Sequence, residues 1–350
     1  PDRAVLDLPV LARRREIGGP QEAADLVGSE WRLHSDLSSG ADATIARPVD
    51  ILFASETEKA EFWLPLLQRA LPQDRFFVGE ERSCDVALLA TPPAGTLARL
   101  KGVKLIQSLW MGVDKLLADP EYPRGVPLAR LIDPGMVAAM SESVLAHVLD
   151  WHRHHDRYRA QQARSEWRRF KQYLASDRTI GILGLGELGS DAARKLAALG
   201  FRVAGYSRRP KQLAGVQSFT DLDAMLPLCN ALVCLLPLTP STRGIVNGKN
   251  LALLKPHSCV INVARGGHVV VGDLLKSLDS GHLGHAYLDV FDSEPLPPAS
   301  PLWKHPGVTI TPHSAALTEP RTAIAKIVEN VERVRRGETP LYLVDFDAGY

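Results

Sequence analysis

Thr179-Ile-Gly-Ile-Leu-Gly-Leu-Gly-Glu-Leu-Gly189 decides the architecture of this 350-residue chain. Thr179–Leu183 reads as a short strand, and Gly184, Gly186 and Gly189 follow it in GxGxxG spacing before a helical stretch from Ser190 to Leu199. The first glycine permits a tight turn, the second lets a pyrophosphate approach the backbone, and the third allows close helix packing. The anion then sits at the helix N-terminus, beside Glu187 and Leu188. Alone, the spacing describes an ordinary glycine-rich turn. Between a strand and a helix it predicts a dinucleotide site.

Working outward, Arg202–Tyr206, Ala231–Leu235, Cys259–Val263, Gly284–Val290 and Val308–Ile310 are further candidate strands with helices between them. An earlier series holds Val49–Phe53, a helical stretch from Glu56 to Ala70, then Asp85–Leu89 and Val103–Ser108. Such alternation favours parallel sheets covered by helices. Ser141 to Arg159 reads as one long helix. A last helix is expected to be capped by Thr318, with Pro320 in its first turn, a buried stripe of Ile324, Ile327, Val328, Val331 and Val334, and Gly337 as its stop. Residues 1–48, mixed in charge and aperiodic, read as an extension.

Hydrophobic residues make up 45% and charged residues 23%, as expected of a globular chain with a sizeable core. Lys plus Arg total 41 against 40 Asp plus Glu, and a net charge of +1 offers no general attraction to nucleic acid or membrane. Partners are expected to be small molecules. Cys84, Cys229, Cys234 and Cys259 show neither metal-ligand spacing nor disulfide density, which suits a reducing cytoplasm. No apolar run reaches membrane-span length, and the N-terminal region lacks a signal-peptide core, so the chain is expected to be soluble and unprocessed, with its true first residues preceding Pro1.

The strand after the glycine motif ends in Tyr206-Ser207-Arg208-Arg209, with Lys211 close behind. A carboxylate there would accept hydrogen bonds from the ribose hydroxyls of NAD; a cation suits the 2′-phosphate of NADP. This turn has no acid, and Ser207 and Arg208 offer donors, so NADPH is the expected cofactor, with NADH as the alternative.

Three segments lie at or just beyond the C-terminal ends of expected strands, the ligand-binding edge of such a sheet. They are Asn262-Val263-Ala264-Arg265-Gly266-Gly267, Leu288-Asp289-Val290-Phe291 leading to Glu294-Pro295, and Thr311-Pro312-His313-Ser314-Ala315. Singly, Arg265 reads as a surface cation, Glu294 as a loop acid and His313 as a core histidine. Their joint placement points instead to one active site.

With these motifs, and from about Val49 to the terminal Gly349-Tyr350, the chain resembles the D-isomer-specific 2-hydroxyacid dehydrogenases, most of all their glyoxylate/hydroxypyruvate reductase branch. The resemblance implies two Rossmann-like or flavodoxin-like doubly wound α/β domains with an interdomain cleft. It assigns residues 49–146 with 317–350 to a discontinuous substrate domain and 147–316 to the NADP-binding domain. It also implies a homodimer formed mainly through the cofactor domains. Arg265, Glu294 and His313 match the family's catalytic positions. Asp289 matches the nicotinamide-side aspartate, Leu236-Pro237 matches a segment lining the cofactor, and Val263, Ala264, Ser314 and Ala315 join the cofactor contacts.

Chemically, Arg265 supplies a planar charged fork for a 2-oxo acid, His313 a proton, and Glu294 an anion that orients His313 and favours its protonated form. Trp110-Met111-Gly112, within Leu109–Asp114, stands where relatives carry a small-residue turn ending in Gly-Val-Asp, and its backbone N–H groups are candidates for the substrate carboxylate. Trp110 either points into the core or fills the cleft space left by Ala90. Rival readings keep the enzyme with NAD(H) and a larger 2-hydroxy acid, or make the chain a nonenzymatic dinucleotide sensor. His147, His152, His154 and His155 lack the companions of a metal set, and Arg164, Arg168, Arg169 and Lys171 form a locally basic run, so neither a metal nor a nucleic-acid site is expected.

Overall fold

Twelve strands, every pairing parallel, form two sheets in the computed structural model, which describes residues 47–79 and 83–350. The first sheet holds β1 (Asp50–Ser55), β2 (Arg75–Val78), β3 (Val86–Ala90), β4 (Leu105–Ser108) and β5 (Leu128–Ala129), in the order β2-β1-β3-β4-β5. That is the flavodoxin-like order. The second holds β6 (Thr179–Leu183), β7 (Arg202–Tyr206), β8 (Val216–Phe219), β9 (Ala231–Cys234), β10 (Ser258–Asn262), β11 (Leu283–Leu288) and β12 (Val308–Ile310), in the order β12-β11-β10-β9-β6-β7-β8. This is a Rossmann order with one extra strand. The expected extension lies outside the described residues apart from Arg47 and Pro48.

Sequence reading misses β2, β5 and β8, and each is an edge strand. β2 and β8 expose part of both faces, while β5 has only two residues, so none carries an apolar run long enough to recognise. The expected helix from Ser141 to Arg159 is two helices, Pro134–His152 and His155–Ala163, broken where His154 adopts left-handed φ. Asp133 caps the first by accepting from the Met136 N–H at 3.0 Å. The helix after the glycine motif starts at Glu187, ahead of Ser190. Thr318 is not the cap of the last helix, Pro320–Arg336; Glu319 is, and the Thr318 hydroxyl donates to the Leu109 carbonyl at 3.1 Å. Gly337 ends that helix as expected.

Burial on both faces of each sheet explains why the strands read as apolar runs. Trp63 and Leu67 from helix Ala60–Ala70 and Ala323, Ile327 and Val331 from the last helix cover one face of the five-stranded sheet. The chain thus returns to its first sheet after building the second. Asn330, 2% exposed, donates to the Gln107 side chain of β4 at 2.7 Å and pins the returning helix. Buried Arg335 adds an ion pair with Asp74 at 2.6 Å. Met140, Val144, Val148 and Trp151 of helix Pro134–His152 pack instead against Ala192, Ala193 and Leu196 beside the second sheet.

The histidine-rich stretch disperses to separate partners. His147 stacks on Tyr287, His152 meets Phe201 edge-on, His154 faces the Lys171 carbonyl, and His155 lies 3.9 Å from Asp150. Burial holds His147, His152, His268 and His285 below the ordinary histidine value of 6.5. The unfolded chain therefore binds more protons than the native one as pH falls through 6.5, so stability rises with pH across this window and drops below it. Thermal melting should occur at a lower temperature at pH 5.5 than at pH 7.5; an unchanged or higher midpoint would contradict the neutral burial of these rings.

Candidate active site

The second sheet reverses strand order between β6 and β9, opening a crevice at their C-terminal ends. Gly184 turns there with φ +99°, and a Cβ on it would stand 2.8 Å from the Leu235 carbonyl, beside the Leu236-Pro237 segment. A Cβ on Gly189 would overlap the Gly184 carbonyl, so strand and helix meet at a distance only glycine allows. Over Gly186 the space is open. The first-turn N–H groups of helix Glu187–Ala198 have no intrahelical acceptor and no side-chain cap. This open, donor-lined cradle fits a dinucleotide pyrophosphate.

The Gly184 N–H donates to the Tyr206 carbonyl at 2.9 Å, which sets the end of β7 beside the cradle. Ser207 donates its hydroxyl to the Arg209 carbonyl at 2.7 Å, within its own turn. Arg208 donates to the Tyr350 hydroxyl, and Arg209 and Lys211 are exposed. Among the described residues, none of these three cations has an ion-pair partner. Val263 and Ala264 are buried in the apolar layers on opposite faces of the sheet.

Arg265 follows β10 and crosses to the other sheet's loops. Its Nε donates to Asp114 Oδ1 at 3.0 Å and its Nη1 to the Ala264 carbonyl at 2.8 Å. Its Nη2 lies against Gly112, where a Cβ would overlap it. Asn262, fully buried, donates to the Arg265 carbonyl at 2.9 Å and accepts from the Ala264 N–H, shaping the turn. His268 packs behind it, its ring nitrogens facing the Arg265 and Pro237 carbonyls.

Glu294 and His313 do meet. His313 Nδ1 lies 2.7 Å from Glu294 Oε2, while Glu294 Oε1 accepts from the Phe291 N–H at 2.8 Å. Gly266, next to Arg265, presses on the backbone of Phe291 and Asp292, so the arginine turn and the glutamate loop abut. Asp289, 1% exposed, faces inward: its carboxylate accepts from Thr311 Oγ1 and from the Ser314 and Ala315 N–H groups, fixing the loop that carries His313.

In the turn after β4, the Trp110 N–H donates to Ser108 Oγ, and the N–H groups of Met111, Gly112 and Val113 have no acceptor among the described residues. Trp110 is half-buried against the layer that contains Ala90 and Leu131, and its indole N–H donates to Glu58 Oε1 at 2.8 Å. The other Glu58 oxygen accepts from Trp63 at 3.0 Å.

Residues 145–315 match the family model described as D-isomer specific 2-hydroxyacid dehydrogenase, NAD binding domain. Across 313 residues the chain is 43% identical to glyoxylate/hydroxypyruvate reductase A of Serratia proteamaculans, an alignment covering 86% of this chain and 100% of the relative. The chain belongs to the D-isomer-specific 2-hydroxyacid dehydrogenase family. A solved family member from Xanthobacter autotrophicus Py2, in complex with NADPH and MES, superposes with a TM-score of 0.84 at 39% identity, over 87% of this chain and 100% of that one. The NADPH-dependent glyoxylate/hydroxypyruvate reductase of Sinorhizobium meliloti, in complex with NADP and sulfate, gives 0.81 at 37% identity, over 86% and 99%.

Three contacts of this dehydrogenase escape sequence reasoning. Asp114 lies in the quoted turn, but its pairing with Arg265 joins positions 151 residues apart. Glu58 receives two indoles, one of them 52 residues away, and no local pattern marks it. Tyr350 is visible in sequence only as a terminal residue, whereas the fold sets it beside Arg208.

Proposed function

We propose that this dehydrogenase reduces small 2-oxo acids, glyoxylate and hydroxypyruvate among them, to 2-hydroxy acids with NADPH. The observation that carries the reading is Arg265, which touches Asp114 and Gly112 from the other sheet's loops while its neighbour Gly266 abuts the loop carrying Glu294, the partner of His313. NADPH, when bound, supplies the hydride. Arg265 holds the substrate carboxylate and carbonyl oxygen, and the open N–H groups of Met111, Gly112 and Val113 take the remaining carboxylate charge. With Nδ1 engaged by Glu294, His313 presents Nε2 to the carbonyl oxygen and donates its proton there. Glu294, held by the Phe291 N–H, keeps the ring from turning.

For the dinucleotide, the cradle of Gly184, Gly186, Glu187, Leu188 and Gly189 takes the pyrophosphate, and Ser207, Arg208, Arg209 and Lys211 take the 2′-phosphate. Leu236, Pro237, Val263, Ala264, Asp289, Ser314 and Ala315 shape the rest of the crevice. Relatives solved with NADPH and with NADP support this assignment. NADPH should therefore give a higher kcat/KM than NADH, and Arg208→Ala should reduce that preference by about 1–3 kcal/mol, the scale of a lost charge-assisted hydrogen bond. Equal use of the two cofactors by the unmodified enzyme would refute the assignment.

Residues 49–146 with 317–350 present the substrate and residues 147–316 the cofactor, with helix Pro134–His152 as the crossover. Trp110, tethered to Glu58, fills cleft space beside Ala90 and selects two- and three-carbon acids. NADPH oxidation across a panel of 2-oxo acids tests both substrate statements. Glyoxylate and hydroxypyruvate should lead, and Trp110→Ala should raise kcat/KM for bulkier acids relative to glyoxylate. An unchanged ranking in a folded variant would return Trp110 to a packing role.

The reading includes a cytoplasmic homodimer. Its support is the irregular segment after helix His155–Ala163, which leaves Trp167 94% and Leu174 72% exposed, a surface suited to burial against a second copy. Four free, buried cysteines suit a reducing compartment. Among the described residues no helix is long and apolar enough to cross a membrane. A solution mass of one chain would exclude the dimer.

A further inference from the structure

Arg208 is exposed at the end of β7, and its one hydrogen-bond partner among the described residues comes from the far end of the chain. The Tyr350 hydroxyl accepts from Arg208 Nη2, and the guanidinium carbon stands 4.9 Å from the centroid of the same ring. Arg130, the residue after β5, stands 6.0 Å from that centroid.

The mount of Tyr350 is firm. Leu343 bridges antiparallel to Ala129, the Arg130 N–H donates to the Tyr342 carbonyl, and the Val344 N–H donates to the Leu128 carbonyl. Phe346 packs on Tyr122 with ring centroids 5.6 Å apart. The last turn then closes on Asp345, whose N–H donates to the Tyr350 carbonyl at 3.1 Å and whose carbonyl accepts from the Gly349 N–H at 2.9 Å. The tail is therefore tied to the first sheet while its final ring touches a cation of the second.

We propose that Tyr350 is a positioning residue for NADPH selection: it preorganises Arg208 to receive the 2′-phosphate. The proposal rests on the reading of Arg208 as the 2′-phosphate cation. A free arginine loses rotamer entropy when it grips an anion, and a residue that orders it beforehand lowers that cost. A carboxylate partner would order the arginine but neutralise it. A phenol and a ring face order it with its charge intact and consume one of its five N–H donors, leaving the others for phosphate oxygens.

The test uses two ligands that differ only in the 2′-phosphate, 2′,5′-ADP and 5′-AMP, titrated calorimetrically into the full chain. Tyr350→Ala should weaken 2′,5′-ADP by about 2- to 10-fold, the cost of one newly mobile long side chain, with the loss confined to that ligand. Tyr350→Phe, which keeps the ring, should fall between the native protein and Tyr350→Ala. Added to Arg208→Ala, Tyr350→Ala should cause no further loss, because it acts through the arginine. Equal weakening of both ligands, no weakening of either, or full additivity with Arg208→Ala would overturn the proposal. An Arg208→Ala variant that binds 2′,5′-ADP as the native protein does would remove the cofactor reading itself, a result distinct from a failure of the Tyr350 arm alone.

Discussion

His313→Ala is expected to lower turnover with glyoxylate and NADPH by about 10²–10⁴-fold, the usual range for removing a positioned general acid. NADPH affinity should stay close to the native value, because the imidazole projects from a loop that Asp289 holds through backbone donors and the Thr311 hydroxyl, none of them the ring. The same lock keeps the loop in place when the ring is removed. His313 Nδ1 meets Glu294 Oε2 at 2.7 Å, so Glu294→Gln should lower turnover by less than loss of the ring, since an amide oxygen still accepts from Nδ1 but carries no charge. Stopped-flow measurement of hydride transfer alongside cofactor titration checks both outcomes. A His313→Ala enzyme that keeps native turnover would mean that another group, or water, delivers the proton.

Gly112→Ala should be nearly as damaging, although the methyl group adds no chemistry. The new Cβ would occupy the position of Arg265 Nη2, and the backbone of the turn is held by Leu131 and Ser108 on one side and the short helix Asp114–Ala118 on the other. The guanidinium must therefore move. A displacement of about 1 Å in a group that orients the reacting carbonyl costs on the order of 10²-fold in kcat/KM. Because the dinucleotide cradle lies on the other sheet, NADPH binding should be spared. Steady-state kinetics with cofactor titration separates these effects, and native kcat/KM in a folded Gly112→Ala protein would show that Arg265 does not work from the position described.

Legibility followed burial and locality. β6, β7 and β12 are recognised with their observed bounds, and the GxGxxG turn is unmistakable because strand, glycines and helix are contiguous. Three of the four edge strands, β2, β5 and β8, escape because each is short or partly exposed and carries no long apolar run, while the fourth, β12, is recognised from Val308 and Ile310 on either side of Thr309. The helix expected over Ser141–Arg159 overruns because its apolar steps end at Trp151, and no local pattern marks His154, the left-handed residue at the break. The cap of the last helix shifts by one residue, since both Thr318 and Glu319 are able to cap and a tertiary hydrogen bond to Leu109 claims the threonine.

By itself the sequence determined the α/β class, the dinucleotide turn, the absence of an acid at the end of β7, and the choice of Arg265, Glu294 and His313 as candidate site residues. These depend on residue type, period and short spacing, which the chain carries locally. Only the tertiary structure decided that Arg265 faces Asp114 and Gly112, that Glu58 holds Trp110, and that Tyr350 reaches Arg208. Each joins residues 52 to 153 positions apart, and such pairings are set by the order of strands in two parallel sheets, by the return of the last helix to the first sheet, and by the tail that follows it. Local sequence patterns specify the elements, but the contacts between distant elements follow from how their buried faces pack together.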